Sequence, residues 1–253
     1  MELTKRFETN GEELCAYDKI SFQVAPQEFV CLLGPSGCGK TTLLKTIAGL
    51  DLPTDGELFV GSSTTNLSPE ISMVFQEQGL FPWMTVYNNL AFILANKPAV
   101  DNRDIPGQVN EILEKVGLDK FSNYYPHQLS GGMRQRVSIA RAFVTKPEIM
   151  LMDELFVFLD FQTRLKLHAL LLSLWQSYRK TVLFVTHDIE EAVLLADRVF
   201  VMTARPGKIK EILDIRLDRP RDIYEIRHTK EFLDYTRTIT SLLKQELSLS
   251  EEN

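Results

Sequence analysis

The sequence is poor in cysteine, has no long apolar run and no block of like charge, and each shortage argues against a class of protein. Its three cysteines, Cys15, Cys31 and Cys38, show neither CxxC spacing nor an even count, which speaks against a disulfide framework or a cysteine zinc site and fits small buried hydrophobes in a reducing compartment. No stretch reaches the roughly 18 uninterrupted apolar residues of a spanning helix, and the opening MELTKRFETNGEEL lacks the apolar core of a secretory signal. The chain itself is therefore not expected to cross a membrane. Lys and Arg are scattered and the formal net charge is -6, so there is no electrostatic footprint for nucleic acid and none is expected as a partner. What remains, 253 residues at 44% hydrophobic and 25% charged, is an ordinary globular composition, enough for one generous domain.

Short apolar runs, FVCLL (29–33), EIMLM (148–152), TVLFVT (181–186) and RVFVM (198–202), are separated by longer segments of helical spacing, which predicts an α/β fold with buried, mostly parallel strands. Between 81 and 147 the character changes. The turn signals LFPWMT and NKPAVDNRD give way to the helical run IPGQVNEILEKVGL, expected to form a helical lobe inserted into the α/β core. From 223 to 253, Ile226, Phe232, Tyr235, Ile239, Leu242 and Leu243 recur at helical spacing, the pattern of a C-terminal helix that packs back on that core.

The stretch GPSGCGKTT follows one of these strands and precedes the amphipathic LLKTIAGL, so both the GxxxxGK[ST] spacing and its strand-loop-helix setting are met. Across Gly34, Pro35, Ser36, Gly37, Cys38, Gly39, Lys40, Thr41 and Thr42, such a loop aims backbone N–H groups and a helix N-terminus at phosphate oxygens. Lys40 is expected to neutralise the β- and γ-phosphates and Thr41 to offer its hydroxyl to Mg2+. Cys38 fills a free position of the motif and is assigned no chemistry. In IMLMDE an apolar strand ends in Asp153, suited to holding the Mg2+ shell, and Glu154, suited to polarising an attacking water as general base. The segment LSGGMRQRVSIARAF offers a second helix N-terminus to a phosphate through Ser130, Gly131 and Gly132.

LSGG followed by a Gln-Arg pair resembles the signature of ATP-binding-cassette ATPases, and further family motifs stand in the family's order. By that resemblance Gln76 in MVFQEQGLFPW is the Q-loop glutamine, shared between catalysis and the metal, Asp160 is the D-loop aspartate, and His187 in VTHDIEEA is the switch histidine that contacts the γ-phosphate. Phe7 is the candidate platform for adenine, with Tyr17 second. The resemblance implies ATP and Mg2+ as cofactors and a RecA-like P-loop core over 1–80 and 148–222, with antiparallel β structure near the N-terminus, the helical lobe at 81–147 and the tail at 223–253. It also implies a head-to-tail dimer in which Ser130, Gly131 and Gly132 of one copy close over ATP held by Lys40 of the other. With one set of motifs, the chain needs a second ATP-binding subunit, identical or sister.

The segments VFQEQGLFPWMTVYNNLAF, TARPGKIKEILDI and LDRPRD are similar to the ATP-binding subunits of nitrate, sulfonate, taurine and bicarbonate importers. This implies ATP hydrolysis driving uptake of a small anion or organic solute through a separate permease, whose coupling helix sits in a groove of the lobe. An extracytoplasmic solute-binding protein and a peripheral position on the cytoplasmic membrane face belong to the same reading. A soluble cassette ATPase of an assembly system and a slow or non-hydrolysing subunit are the alternatives. The latter arises in MDELFVFLD, where the family has proline after Asp-Glu and small residues before Leu-Asp, and this chain has Leu155, Val157 and Phe158. Proline would push Glu154 toward an extended backbone, so Leu155 predicts a less rigidly aimed base, Phe158 adds bulk beside Asp160, and both are expected to slow turnover.

Overall fold

The structure, a computed structural model, describes residues 2–9, 11–60, 63–64, 71–97, 100–157 and 159–251. Strands β1 (Leu3–Thr9) and β2 (Glu12–Ile20) form an antiparallel ribbon, β3 (Phe29–Leu33) enters the main sheet, and β4 (Phe59–Val60) and β5 (Ser63–Thr64) make a small hairpin. The main sheet is completed by β6 (Ile71–Val74), β7 (Ile149–Asp153), β8 (Thr181–Thr186), β9 (Arg198–Met202) and β10 (Ile209–Asp214). Its order is β10-β9-β3-β8-β7-β6, with every pair parallel except β10 on β9. The expected runs at 29–33, 181–186 and 198–202 are strands over those same residues, and β7 starts one residue later than its run.

Continuous apolar runs form these strands because both sheet faces are covered. Phe29, Cys31, Leu33, Val182, Phe184, Val199 and Val201 face one core, while Val30, Leu32, Leu183, Val185, Phe200 and Met202 face the other. The second core holds Leu43, Leu44 and Ile47 of α1 (Lys40–Ile47), together with Tyr17 and Ile20 of the ribbon. Between β6 and β7 the chain forms α2 (Val86–Ala95), α3 (Ile105–Lys115) and α4 (Gly131–Val144). Val86, Leu90, Val109, Ile112, Val137 and Phe143 of these helices belong to the same apolar cluster as the first sheet face. The helical segment therefore shares the main core and does not build one of its own.

Helices α5 (Phe161–Tyr178), α6 (Ile189–Leu195) and α7 (Lys230–Glu251) complete the cover of that face. Side-chain caps start most of these helices: Thr85, Ser130, Asp160 and Asp188 each accept a backbone N–H of the first turn. In the tail, Phe232 and Ile239 are buried and Ile226, Tyr235, Leu242 and Leu243 pack against the same cluster.

Two arginines fasten the chain where it leaves the sheet for this tail. Arg219 donates to Asp197 Oδ1 at 2.9 Å and to Leu195 O at 2.7 Å, with its guanidinium carbon 4.2 Å from the Trp175 ring centre. Arg221 is buried and donates to the Leu194 and Ala196 carbonyls at 2.7 and 2.9 Å, satisfying the C-terminal end of α6. Burial pushes its pKa down to about 10, so it stays charged at neutral pH. Arg221→Met is expected to strip these carbonyls of their donor and cost about 2–4 kcal/mol, a fall in Tm on the order of 10 °C. Arg216→Met, at an exposed position, should stay within about 0.5 kcal/mol of wild type; paired thermal unfolding of both variants checks the contrast.

Candidate functional site

The C-terminal ends of β3, β8, β7 and β6 lie along one edge of the sheet, and the loops leaving them carry most of the predicted residues. After β3 the chain turns through Gly34–Gly39 into α1. Gly39 has φ 96°, and a Cβ there would stand 2.6 Å from the Ala16 carbonyl oxygen, so only glycine lets the loop lie this close to β2. Lys40, 4% exposed, donates through Nζ to the Gly34 and Pro35 carbonyl oxygens at 2.8 Å each. Among the described residues it forms no ion pair, so a buried ammonium is balanced by carbonyls alone, an environment completed by an arriving anion. Cys38 Sγ lies 3.8 Å from Nζ, and burial pushes its thiol pKa up, which keeps it protonated and inert.

The Thr41 hydroxyl donates to Asp153 Oδ1 at 3.0 Å, joining the start of α1 to the end of β7. Burial raises the Asp153 carboxyl above the usual carboxylate range, and the Thr41 hydrogen bond works in the opposite direction. One residue on, Glu154 has φ 45°, donates its N–H to Val185 O at 3.0 Å, and brings Oε1 to 3.2 Å from His187 Nδ1. The extended backbone that a following proline would favour is not the one Glu154 adopts. Its backbone is left-handed, fixed to β8 on one side and to the buried side chain of Leu155 on the other. Phe158 lies outside the described residues.

Phe7, Ser36, Gly37, Lys40, Thr41, Thr42, Gln76 and Glu154 line one cavity of about 310 Å3. Phe7 projects from β1 opposite Leu14, which also lines it, and Lys5 Nζ sits 4.8 Å from the Phe7 ring centre. Tyr17 does not fit the second adenine assignment: it is fully buried on the inner side of β2 and its hydroxyl donates to Thr46 Oγ1 at 2.8 Å. Ser130, Gly131 and Gly132 stand elsewhere, at the N-terminus of α4, where Ser130 Oγ accepts the Met133 N–H at 3.2 Å. Asp160 caps α5 through the Thr163 N–H, which holds its carboxyl below the usual range. A larger cleft, about 670 Å3, runs beside His187 past Arg164 and Arg227 to Thr236 and Thr240 of α7. It holds none of the phosphate-loop residues, so the smaller cavity is the candidate nucleotide site.

Several residues with a place here escaped the sequence reading. Arg205 lines the nucleotide cavity. Beneath the Glu154–His187 pair, Glu191 accepts from Thr186 Oγ1 at 2.7 Å and meets the buried His168 Nε2 at 3.2 Å, while the Phe156 ring stands edge-on to His168 at 4.6 Å. Beside Gln76, the Gln78 side chain accepts from Arg134 Nε at 3.2 Å, and Arg141 donates to Gly79 O at 2.7 Å, tying this segment to α4. A buried His and Glu 23 residues apart on two different helices, or an Arg in the turn between β9 and β10, gives no spacing signal. Thr41, Asp153 and the exposed Gln76 could supply the few neutral and acidic oxygens that Mg2+ takes from a protein when substrate phosphates provide the rest.

With this geometry in view, residues 17–157 match the family model described as ABC transporter. An uncharacterized ABC transporter ATP-binding protein of Methanocaldococcus jannaschii is 50% identical over 97% of this chain and 90% of its own. A nitrate import ATP-binding protein of Synechocystis is 42% identical over 96% and 93%, and an aliphatic sulfonates import ATP-binding protein of Bacillus cereus is 43% identical over 87% and 86%. Among solved structures, a dimeric ATP-binding cassette in a post-hydrolysis state, bound to ADP and Pi, has a TM-score of 0.74 and 33% identity, covering 86% of this chain and 98% of that one. The fold, the phosphate loop and these likenesses together make the chain a member of the ABC transporter family, an ATP-binding cassette that uses ATP and Mg2+.

Proposed function

We propose that the chain is the ATP-hydrolysing subunit of an importer, working on the cytoplasmic face of a membrane as one half of a head-to-tail pair. One observation carries this reading: Ser130, Gly131 and Gly132 do not line the cavity of Lys40, Thr41 and Glu154, so a single chain does not bring these two segments together. A second cassette, identical or sister, supplies the missing half to each. No helix among the described residues is long and apolar enough to cross a membrane, so the path for the solute belongs to a separate permease. The names of the nitrate and sulfonate relatives support a small oxyanion or organosulfonate as the cargo, delivered by an extracytoplasmic binding protein. The exposed aromatic corner of Trp83 and Phe92 around Phe81 is the candidate seat for the permease's coupling helix.

In this mechanism Lys40 exchanges its two carbonyl partners for the β- and γ-phosphate oxygens, and the loop N–H groups hold the rest of the tail. Phe7 supports adenine. Bound Mg2+ supplies neutralisation of phosphate charge, with Thr41, Asp153 and Gln76 around it. Glu154 Oε1 takes a proton from the attacking water, and His187, hydrogen-bonded to that carboxylate, orients it and reaches the γ-phosphate. Asp160, at the head of α5, faces the partner cassette. Closure of the pair on ATP then drives the permease through its cycle. Copurification from the native membrane tests the assignment: a partner rich in membrane helices supports it, and a soluble partner alone would favour an assembly ATPase.

Glu154→Gln keeps the binding groups and removes the base, so it is expected to lower kcat at least about 100-fold and to accumulate an ATP-bound dimer visible by gel filtration. A second expectation concerns Asp153. Its pKa is raised by folding, so its ionised form costs stability at neutral pH, and that cost fades as pH falls through the folded pKa toward the ordinary carboxylate range. Asp153→Asn should raise the Tm of the nucleotide-free chain near pH 7, with the gain shrinking as the pH approaches about 4, while Mg2+-dependent turnover is lost. Calorimetry of both proteins across pH reads this directly; an undiminished gain in acid would mean that ionisation of Asp153 is not its source.

A further inference from the structure

The turn between β9 and β10, residues 203–208, is locked against the phosphate loop. The Gly207 N–H donates to Ala16 O at 3.0 Å, and Gly207 O accepts the Asp18 N–H at 3.0 Å. A Cβ on Gly207 would overlap the Cys38 carbonyl oxygen, so the turn touches the loop backbone itself. Within the turn, Thr203 Oγ1 accepts the Lys208 N–H at 2.9 Å and donates to Pro206 O at 3.1 Å. Arg205 is carried on this fixed support. Its Nε donates to Gly37 O at 3.1 Å, and Nη2 lies 3.4 Å from the place a Gly37 Cβ would occupy, so the guanidinium rests on the apex of the phosphate loop.

Arg164, Arg198, Arg219 and Arg227 are all in ion pairs. Among the described residues Arg205 is in none, although it is exposed and lines the cavity that holds Lys40. With Nε committed to Gly37, the two Nη groups keep a fork of donors at the cavity wall, the geometry that suits phosphate oxygens. Among the described residues Glu154 is the only carboxylate lining that cavity, so Arg205 and Lys40 leave its wall net positive.

We propose that Arg205 is a nucleotide-binding residue, making charge-assisted hydrogen bonds to the phosphate tail of ATP beside the contacts of Lys40 and the loop. This rests on the cavity being the ATP site. The test uses the full-length wild-type protein and Arg205→Gln, with a fluorescent ADP analogue displaced in turn by a non-hydrolysable ATP analogue, ADP and adenosine. The expected result is that Kd for the ATP analogue and for ADP rises about tenfold in Arg205→Gln, that adenosine is unaffected within about twofold, and that the difference shrinks as salt increases. Arg205→Lys keeps the charge but cannot serve Gly37 and phosphate together, so it should fall between the two. Matched thermal unfolding confirms that the variants fold, and Arg205→Lys carries the test if Arg205→Gln does not.

Unchanged binding in both variants would overturn the assignment. So would an equal loss for adenosine, which would make Arg205 a brace of the loop and not a phosphate ligand. If the wild-type chain displaced none of the three ligands, the fault would lie with the nucleotide reading of the cavity itself.

Discussion

The register of three parallel strands is the constraint on which the site depends. Leu33 of β3 lies opposite Thr186 of β8, and Asp153 of β7 lies opposite Val185. That alignment brings the phosphate loop, the acid pair and His187 out of the sheet at the same level, although Thr41 and Asp153 are 112 positions apart in the chain and Glu154 and His187 are 33. A slip of one residue in β7 would turn Asp153 away from Thr41 and exchange the two apolar faces of the strand. Both faces are buried, so the cost of such a slip is that of inverting a core, and the chemistry inherits its precision from hydrophobic packing.

A second layer of polar contacts holds what the register delivers. The Thr186 hydroxyl donates to Glu191 and accepts the Asp188 N–H, so the residue before His187 is pinned from both sides. His168 of α5 and the ring of Phe156 close this network from below, which links the segment after Glu154 to the segment after His187 through buried groups. The left-handed backbone of Glu154, worth roughly 1–3 kcal/mol of strain, persists because its N–H is bonded across to β8 and Leu155 fills the core behind it. Bulk at 155 therefore anchors Glu154.

The central strands, the phosphate loop, the acid pair and the amphipathic tail were legible because each is a local pattern: an apolar run, a fixed spacing, a period of 3.6. The pieces that were not legible are contacts between distant segments. Arg205 reaches the nucleotide cavity only because β10 folds back on β9 and the Gly207 turn fits against Cys38, and no spacing in the sequence announces that fit. Tyr17 was read as a candidate for the cavity because it is aromatic and near the N-terminus, yet β2 directs it into the core against Thr46, while Phe7 and Leu14 of the same ribbon point to the cavity. Strand facing, which depends on the ribbon's bulges, decides between them. The left-handed backbone at Glu154 carries no sequence signal for a related reason: it is held by a bond from its N–H to Val185 on β8, a contact between separate segments.

The same layered logic explains how half of a site can respond to its other half. Gln76 leaves β6 into the nucleotide cavity, and two residues later Gln78 is bonded to Arg134, while its carbonyl oxygen accepts from Ser138 and Arg141 of α4. The N-terminus of that helix is the Ser130–Gly132 segment. One short run of backbone thus joins a residue of the candidate nucleotide cavity to the helix that carries the Ser130–Gly132 segment. The apolar face of α4 packs into the core shared with the sheet, and its polar side chains hold the Gln78–Gly79 backbone, so the helix and this segment are fastened to one another. The aromatic corner at Phe81 and Trp83 continues directly from that segment, with Arg141 5.9 Å from the Phe81 ring. The candidate nucleotide cavity, the N-terminus of α4 and the aromatic corner are therefore linked through one short segment, the arrangement that the proposed closure of the pair requires if it is to be felt outside the site.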